Sequence, residues 1–239
     1  MKGLLQARNL TKRYGRLTAL GDVSFSVRTG EVLGLIGPNG SGKTTLFDCL
    51  GGVLPLDGGS LQKDGAPLGD RQRAATLFYV PDAIAPWPLQ TVRWAIDFML
   101  GFFGGRAAMR GEVIERLALE PLLDSTIGSL SKGQRKRALL AIGLLMPQPV
   151  LLADEPFDGL DLRQSREVAE TLRSYASAGR TMFLSIHQIR DAARVCDRFV
   201  LLSGGRMCGE GTLEELSDAA AARGGDPGDD LEEVFLALT

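Results

Sequence analysis

The sequence predicts an α/β fold: a largely parallel sheet core, an N-terminal antiparallel β subdomain and a helical subdomain inserted into the core. Three observations predict it. Short, near-continuous apolar runs alternate with helical patterns, as they do where strands of a parallel sheet are buried on both faces. A glycine-rich loop lies between one such strand and a helix. Between residues 83 and 147 three helical patterns follow one another with no good strand, which interrupts the alternation.

Taken in order, "LLQARNLTKRYGRLTALGDVSFSV" reads as two or three antiparallel strands, and "EVLGLIG" as a buried strand feeding a helix over 43–51. "TLFYV" is the next strand. Helical patterns over 92–103, 109–119 and 133–145 form the insert, and "PVLLAD" returns to the sheet. A helix over 162–178 ends at Gly179. Strands "RTMFLSI" and "RFVLL" follow, then a capping-box pattern from Thr212 to Glu215 that opens a short helix. "RGGDPGDD" reads as a linker and "LEEVFLALT" as a short amphipathic helix that packs on its own core or on a partner. The expected division is one domain over 1–239: an α/β core in 1–82 and 148–211, the helical insert in 83–147 and a helical tail in 212–239.

Composition narrows the class. With 239 residues, 44% hydrophobic and 23% charged, the chain has the makeup of a soluble globular domain. The formal net charge of −2 leaves no overall electrostatic footprint for nucleic acid. No apolar run approaches the roughly 18 to 20 residues needed to span a bilayer. The opening "MKGLLQARNLTKRYG" turns polar too soon for a signal peptide. Cys49, Cys196 and Cys208 are far apart and lack CxxC spacing, which fits unpaired thiols in a reducing compartment. A cytoplasmic location is expected.

The run Gly37-Pro38-Asn39-Gly40-Ser41-Gly42-Lys43-Thr44-Thr45 satisfies GxxxxGK[ST] between a strand and a helix. Its glycines let backbone N–H groups turn toward phosphates, and the helix adds its positive N-terminal end. Lys43 would neutralise β/γ-phosphate oxygens and the Thr44 hydroxyl would hold Mg2+. These features place the core among the P-loop NTPases of RecA-like type. Asp154 and Glu155 end an apolar strand, where burying two acids without partners is costly. Asp154 suits the acid that holds Mg2+, largely through water, and Glu155 the general base for an attacking water.

Order and spacing over almost the whole chain resemble the ATP-binding subunits of ABC transporters: "GPNGSGKTT", then "LSKGQRKRALLAIGLL", "VLLADEPFDGLD" and "LSIHQ". The resemblance implies that Leu130-Ser131-Lys132-Gly133-Gln134 is the signature motif, which binds the γ-phosphate of ATP held by a second cassette. It implies a D-loop ending at Asp161, an adenine-stacking role for Tyr14 and a γ-phosphate switch role for His187. His187 is the one histidine in the chain. It further implies that two cassettes sandwich ATP, that separately encoded transmembrane permease subunits are the partners, and that the chain is peripheral at the cytoplasmic membrane face. "TVRWAIDFMLGFFGG" and the final helix resemble exporter subunits. Trp87 and Trp94 fall where the family receives a helix of the membrane subunit, although Trp94 at helical spacing with Phe98 equally suits a core.

The chain departs from the family at two positions. Lys132 replaces the commoner glycine. Asp82 stands where the family has a glutamine that contacts Mg2+ and the attacking water; as a hard oxygen donor it is a candidate Mg2+ ligand. Arg135, Lys136 and Arg137 read as a solvated helix face, not a nucleic-acid patch. A non-transport relative acting on DNA or ribosomes is the alternative within the same superfamily; a small-molecule kinase would lack both LSKGQ and His187.

Overall fold

The fold was analysed in a computed structural model, which describes residues 4–224 and 230–239. Strands β1 (Leu5–Tyr14) and β2 (Leu17–Val27) form the expected hairpin, and β3 (Val32–Ile36) leads through the glycine loop into α1 (Lys43–Gly51). After α1 come β4 (Gly58–Lys63), the two-residue β5 (Ala66–Pro67), α2 (Asp70–Thr76) and β6 (Leu77–Val80). The insert contains α3 (Val92–Phe103), α4 (Arg110–Arg116) and α5 (Lys132–Leu145). The core resumes with β7 (Val150–Asp154), α6 (Leu162–Ser177), β8 (Thr181–Ile186), α7 (Ile189–Val195) and β9 (Arg198–Ser203). β10 (Arg206–Gly211), α8 (Leu213–Ala221) and α9 (Leu231–Leu238) complete the chain.

Two sheets result. The antiparallel one runs β2-β1-β4-β5, so the N-terminal hairpin is extended by a later strand. The larger one runs β10-β9-β3-β8-β7-β6. Its strands are parallel except β10, which pairs antiparallel with β9. Alternation along each strand sends side chains to two separate cores. Val150 and Leu152 of β7 face the antiparallel sheet and α1, whereas Leu151 and Ala153 face the insert and α6. Phe183 of β8 joins the first of these layers together: its ring lies 4.9 Å from that of Phe47 on α1 and 5.1 Å from that of Phe25 on β2. Such aromatic contacts fix the helix of the phosphate loop against both sheets.

Several boundaries have visible causes. α1 ends where Gly52 takes the left-handed conformation, and α3 starts at Thr91, whose side chain accepts the Trp94 N–H. The single helix expected over 109–119 is instead a 3-10 turn, Ala107–Met109, followed by α4; Ala118 turns to a φ of 48° just past its end. The capping box from Thr212 to Glu215 forms as expected. α9 packs on the chain's own core through Leu231, Val234 and Leu238. Most of the expected linker, residues 225–229, lies outside the described residues. Cys49, Cys196 and Cys208 are all free, and burial pushes the Cys49 thiol up to about 11.

Candidate functional site at the carboxyl ends of three strands

β8 lies between β3 and β7, so the carboxyl ends of three neighbouring parallel strands converge. That edge is where open α/β sheets bind ligands. β3 delivers the glycine loop, β7 delivers Asp154 and Glu155, and β8 delivers His187. Together they border a cavity of about 630 Å3 lined by Tyr14, Asn39, Gly40, Gly42, Lys43, Thr44, Thr45, Asp82, Glu155, Asp158 and His187, among others.

The loop is built around a buried lysine. Lys43 Nζ donates to the Gly37 carbonyl at 2.7 Å and the Pro38 carbonyl at 3.4 Å, which curls the loop over its ammonium group. Gly42 precedes α1 with a φ of 104°, a conformation that a side chain would strain. A Cβ there would also lie 2.7 Å from the Ala19 carbonyl of β2. The Ser41 amide closes a turn on the Pro38 carbonyl at 3.1 Å, and the Ser41 carbonyl accepts the Gly205 N–H at 2.9 Å from the β9–β10 turn.

The carboxylates are held by Ser185, a polar residue inside the buried strand β8. Its hydroxyl donates to Asp154 Oδ1. The Glu155 N–H reaches both the Ser185 carbonyl and its Oγ at 3.1 Å. Asp154, almost fully buried, presents Oδ2 to the Thr44 hydroxyl at 2.9 Å. Hydroxyl and carboxylate thus meet beside the mouth of the loop, a pair of hard oxygen donors that fits Mg2+ shared with phosphate oxygens. Glu155 takes a left-handed φ of 50° and turns its carboxylate across the cavity. Oε2 lies 2.6 Å from His187 Nδ1 and accepts the His187 N–H at 3.1 Å, while Oε1 lies 3.7 Å from Lys43 Nζ. Base candidate, imidazole and phosphate-loop lysine form one connected group.

Tyr14 borders the cavity at the end of β1, half exposed, with the Lys12 ammonium 5.7 Å from its ring centroid. Ser131, Gly133, Gln134 and Asp161 stay outside the cavity. Ser131 and Gln134 form the capping box of α5, in which the Ser131 N–H donates to Gln134 Oε1 at 2.9 Å. Asp161 caps α6 by accepting the Gln164 N–H at 2.8 Å. Gly133 has a local reason to be glycine: a Cβ there would sit 2.4 Å from the Gly159 carbonyl.

Several side chains stand differently from the reading of the sequence. Lys136 is not on a solvated face; it is buried, with Nζ on Asp82 Oδ1 and on the Asp154 carbonyl, each at 2.7 Å. Arg137 is also engaged, donating to the Leu117 carbonyl at 2.9 Å. Asp82 borders the cavity, yet its carboxylate is committed to Lys136. Burial pushes its pKa up, but the hydrogen bond and charge of Lys136, with the Ala83 amide and Lys132, outweigh that and hold it below the usual value. Ser185 and the Gly204–Gly205 turn were not anticipated, and Asp158 lies within the expected D-loop, 157–161. Only Ser185 carried a signal: a hydroxyl in an apolar strand needs a partner. Trp94 is not core either: it stacks on Phe98 at 4.8 Å, with Trp87 5.7 Å away, and all three rings are exposed.

A glycine loop with a buried lysine, a threonine–aspartate pair beside it and a glutamate–histidine pair opposite define a P-loop nucleotide hydrolase. The family model described as ABC transporter matches residues 20–158. The chain belongs to that family, as an ATP-binding and ATP-hydrolysing subunit. It is 36% identical over 218 residues to the Nod factor export ATP-binding protein I of Burkholderia orbicola, covering 89% of this chain and 72% of that one. To the SkfA peptide export ATP-binding protein SkfE of Bacillus subtilis it is 29% identical, covering 92% and 94% of the two chains. A solved ATP-binding subunit of an ABC transporter superposes with a TM-score of 0.87 at 27% identity, over 98% of this chain and 99% of the other.

Proposed function

We propose that this chain powers export. Two cassettes close around ATP, hydrolysis and product release reopen them, and the motion passes to membrane subunits carried on another chain. The observation that carries the reading is the Glu155 carboxylate, held between His187 and Lys43 at the mouth of the phosphate loop. Relatives named for export support the direction and leave a role on DNA or ribosomes unfavoured.

Lys43, with the loop amides and the N-terminus of α1, meets the negative charge of the β- and γ-phosphates. Thr44 and Asp154 would hold Mg2+, which when bound neutralises charge developing on the phosphate oxygens. Glu155 accepts a proton from the attacking water, and His187 holds that carboxylate in register through Nδ1. Tyr14 offers its ring to adenine. Ser131, Gly133 and Gln134 at the head of α5, with Asp161, serve the nucleotide of the partner cassette, which accounts for their position outside this chain's own cavity. The exposed aromatic cluster of Trp87, in the loop before α3, with Trp94, Phe98 and Phe102 on that helix supports docking of a membrane subunit, because aromatic side chains dominate the energetics of such contacts. No helix among the described residues is long and apolar enough to cross a membrane. Membership of the transporter family supports a peripheral place for the chain at the cytoplasmic membrane face.

Steady-state ATP hydrolysis by the purified chain tests this. Lys43→Ala should abolish nucleotide binding. Glu155→Gln should keep ATP affinity within about threefold and lose at least about 100-fold in kcat, the scale expected for removing a general base. Turnover near the native rate in Glu155→Gln would overturn the assignment.

A further inference from the structure

Lys132 and Lys136 lie four residues apart in the first turns of α5, the spacing that puts two side chains on one helix face. Each ends on a carboxylate of the core, and both carboxylates border the nucleotide cavity. Lys132 Nζ bonds Asp158, just past β7, and Lys136 Nζ bonds Asp82, just past β6. The two contacts differ in burial. The Lys132 side chain is 47% exposed, so its ion pair is screened and weak, whereas that of Lys136 is 4% exposed. A buried ammonium without a counter-ion is strongly destabilising, so Lys136 requires Asp82. Lys136 Nζ also donates to the carbonyl of Asp154, the residue that meets Thr44. One ammonium therefore joins the helix carrying Ser131, the end of β6 and the end of β7.

We propose that Asp82 and Lys136 are a matched positioning pair. It sets the head of α5 relative to the Asp154–Glu155 strand end, and Asp82 serves the site through Lys136 instead of as a direct Mg2+ ligand. This rests on the ATPase reading above. The carboxylate is compatible with this site because it arrives with its own buried cation: the pair adds no net charge near the triphosphate. The Lys136 donor occupies Asp82 Oδ1, and the geometry of α5, and so of the signature residues Ser131 and Gly133, follows from that contact.

A double-mutant cycle decides it, with Asp82→Asn, Lys136→Met and the double variant. Three quantities are read: thermal unfolding without nucleotide, kcat and KM for ATP, and the Mg2+ concentration for half-maximal hydrolysis. Each single variant should lower Tm by about 5 °C or more, as one charge loses its buried partner, and the double should lose less than either Lys136→Met or Asp82→Asn alone. Each single should lower kcat about tenfold with KM within about twofold, the double should recover to within about threefold of native, and half-maximal Mg2+ should stay unchanged throughout. Additive losses in Tm and kcat would overturn the pairing. A tenfold shift in the Mg2+ requirement of Asp82→Asn would overturn it in favour of direct metal ligation. If a single variant does not fold, a folded double supports the pair and an unfolded double contradicts it. The thermal cycle needs no turnover, so an inactive native chain would count against the ATPase reading and leave the pairing to be decided by Tm.

Discussion

Ser185 holds two acids at once. Its hydroxyl donates to Asp154 Oδ1 and accepts the Glu155 N–H, which helps keep Glu155 at a φ of 50°. A non-glycine residue in that region carries about 1–2 kcal/mol of strain, offset here by the two bonds from its amide. Ser185→Ala leaves a buried carboxylate oxygen without its donor, at a cost of about 1–3 kcal/mol. We therefore predict a kcat about tenfold lower with KM for ATP within about threefold, measured by steady-state hydrolysis; an unchanged kcat would mean that Asp154 and Glu155 hold their places without Ser185. At this scale the catalytic residues were legible because loop, acids and histidine each follow an apolar strand, and adjacent parallel strands bring such ends together. Lys136 was not legible. Its two acceptors lie 54 and 18 residues away in sequence, and a basic triplet on a helix looks solvated until the tertiary structure buries one member.

Among the elements, α5 carries the most consequence, because its head is fixed by ion pairs while its body is core. The depressed pKa of Asp82 gives the sign of a pH effect. A carboxyl whose folded pKa lies below its unfolded value, about 3.9, contributes stability that is present above that value and is lost as pH falls through the folded pKa. The groups facing it are Lys136 and Lys132 of α5, with Glu155 and His187 across the cavity. We predict that the thermal stability of the native chain exceeds that of Asp82→Asn by a full margin at neutral pH. The margin should shrink below about pH 4, in thermal scans from pH 3 to 7. A margin independent of pH would contradict it. Helices with caps written beside them, α1 and α3, were legible to the residue. β4, β5 and α2 were not, because β4 buries only Leu61 of its six residues and the two neighbours are too short to show a period.

Among the described residues the molecule is two sheets and a helical insert built around the six-stranded sheet, and Phe183 stands where β2, α1 and β8 meet. Truncating it should cost about 3–5 kcal/mol, the range for a buried phenylalanine, read as a lower midpoint in urea unfolding. A loss under about 1 kcal/mol would mean that α1 is not held through that ring. At this scale the architecture was legible from the alternation of apolar runs and from the long helical gap between "TLFYV" and "PVLLAD". The contribution of β4 to the hairpin sheet was not, because sheet membership depends on pairing between distant segments. The signature residues outside this chain's cavity are proposed to complete the cavity of another cassette. The molar mass of Glu155→Gln in solution, with Mg-ATP and then with Mg-ADP, tests it most directly. We predict about twice 25.6 kDa with ATP and 25.6 kDa with ADP. A protein that binds ATP and keeps the smaller mass in both nucleotides would contradict it.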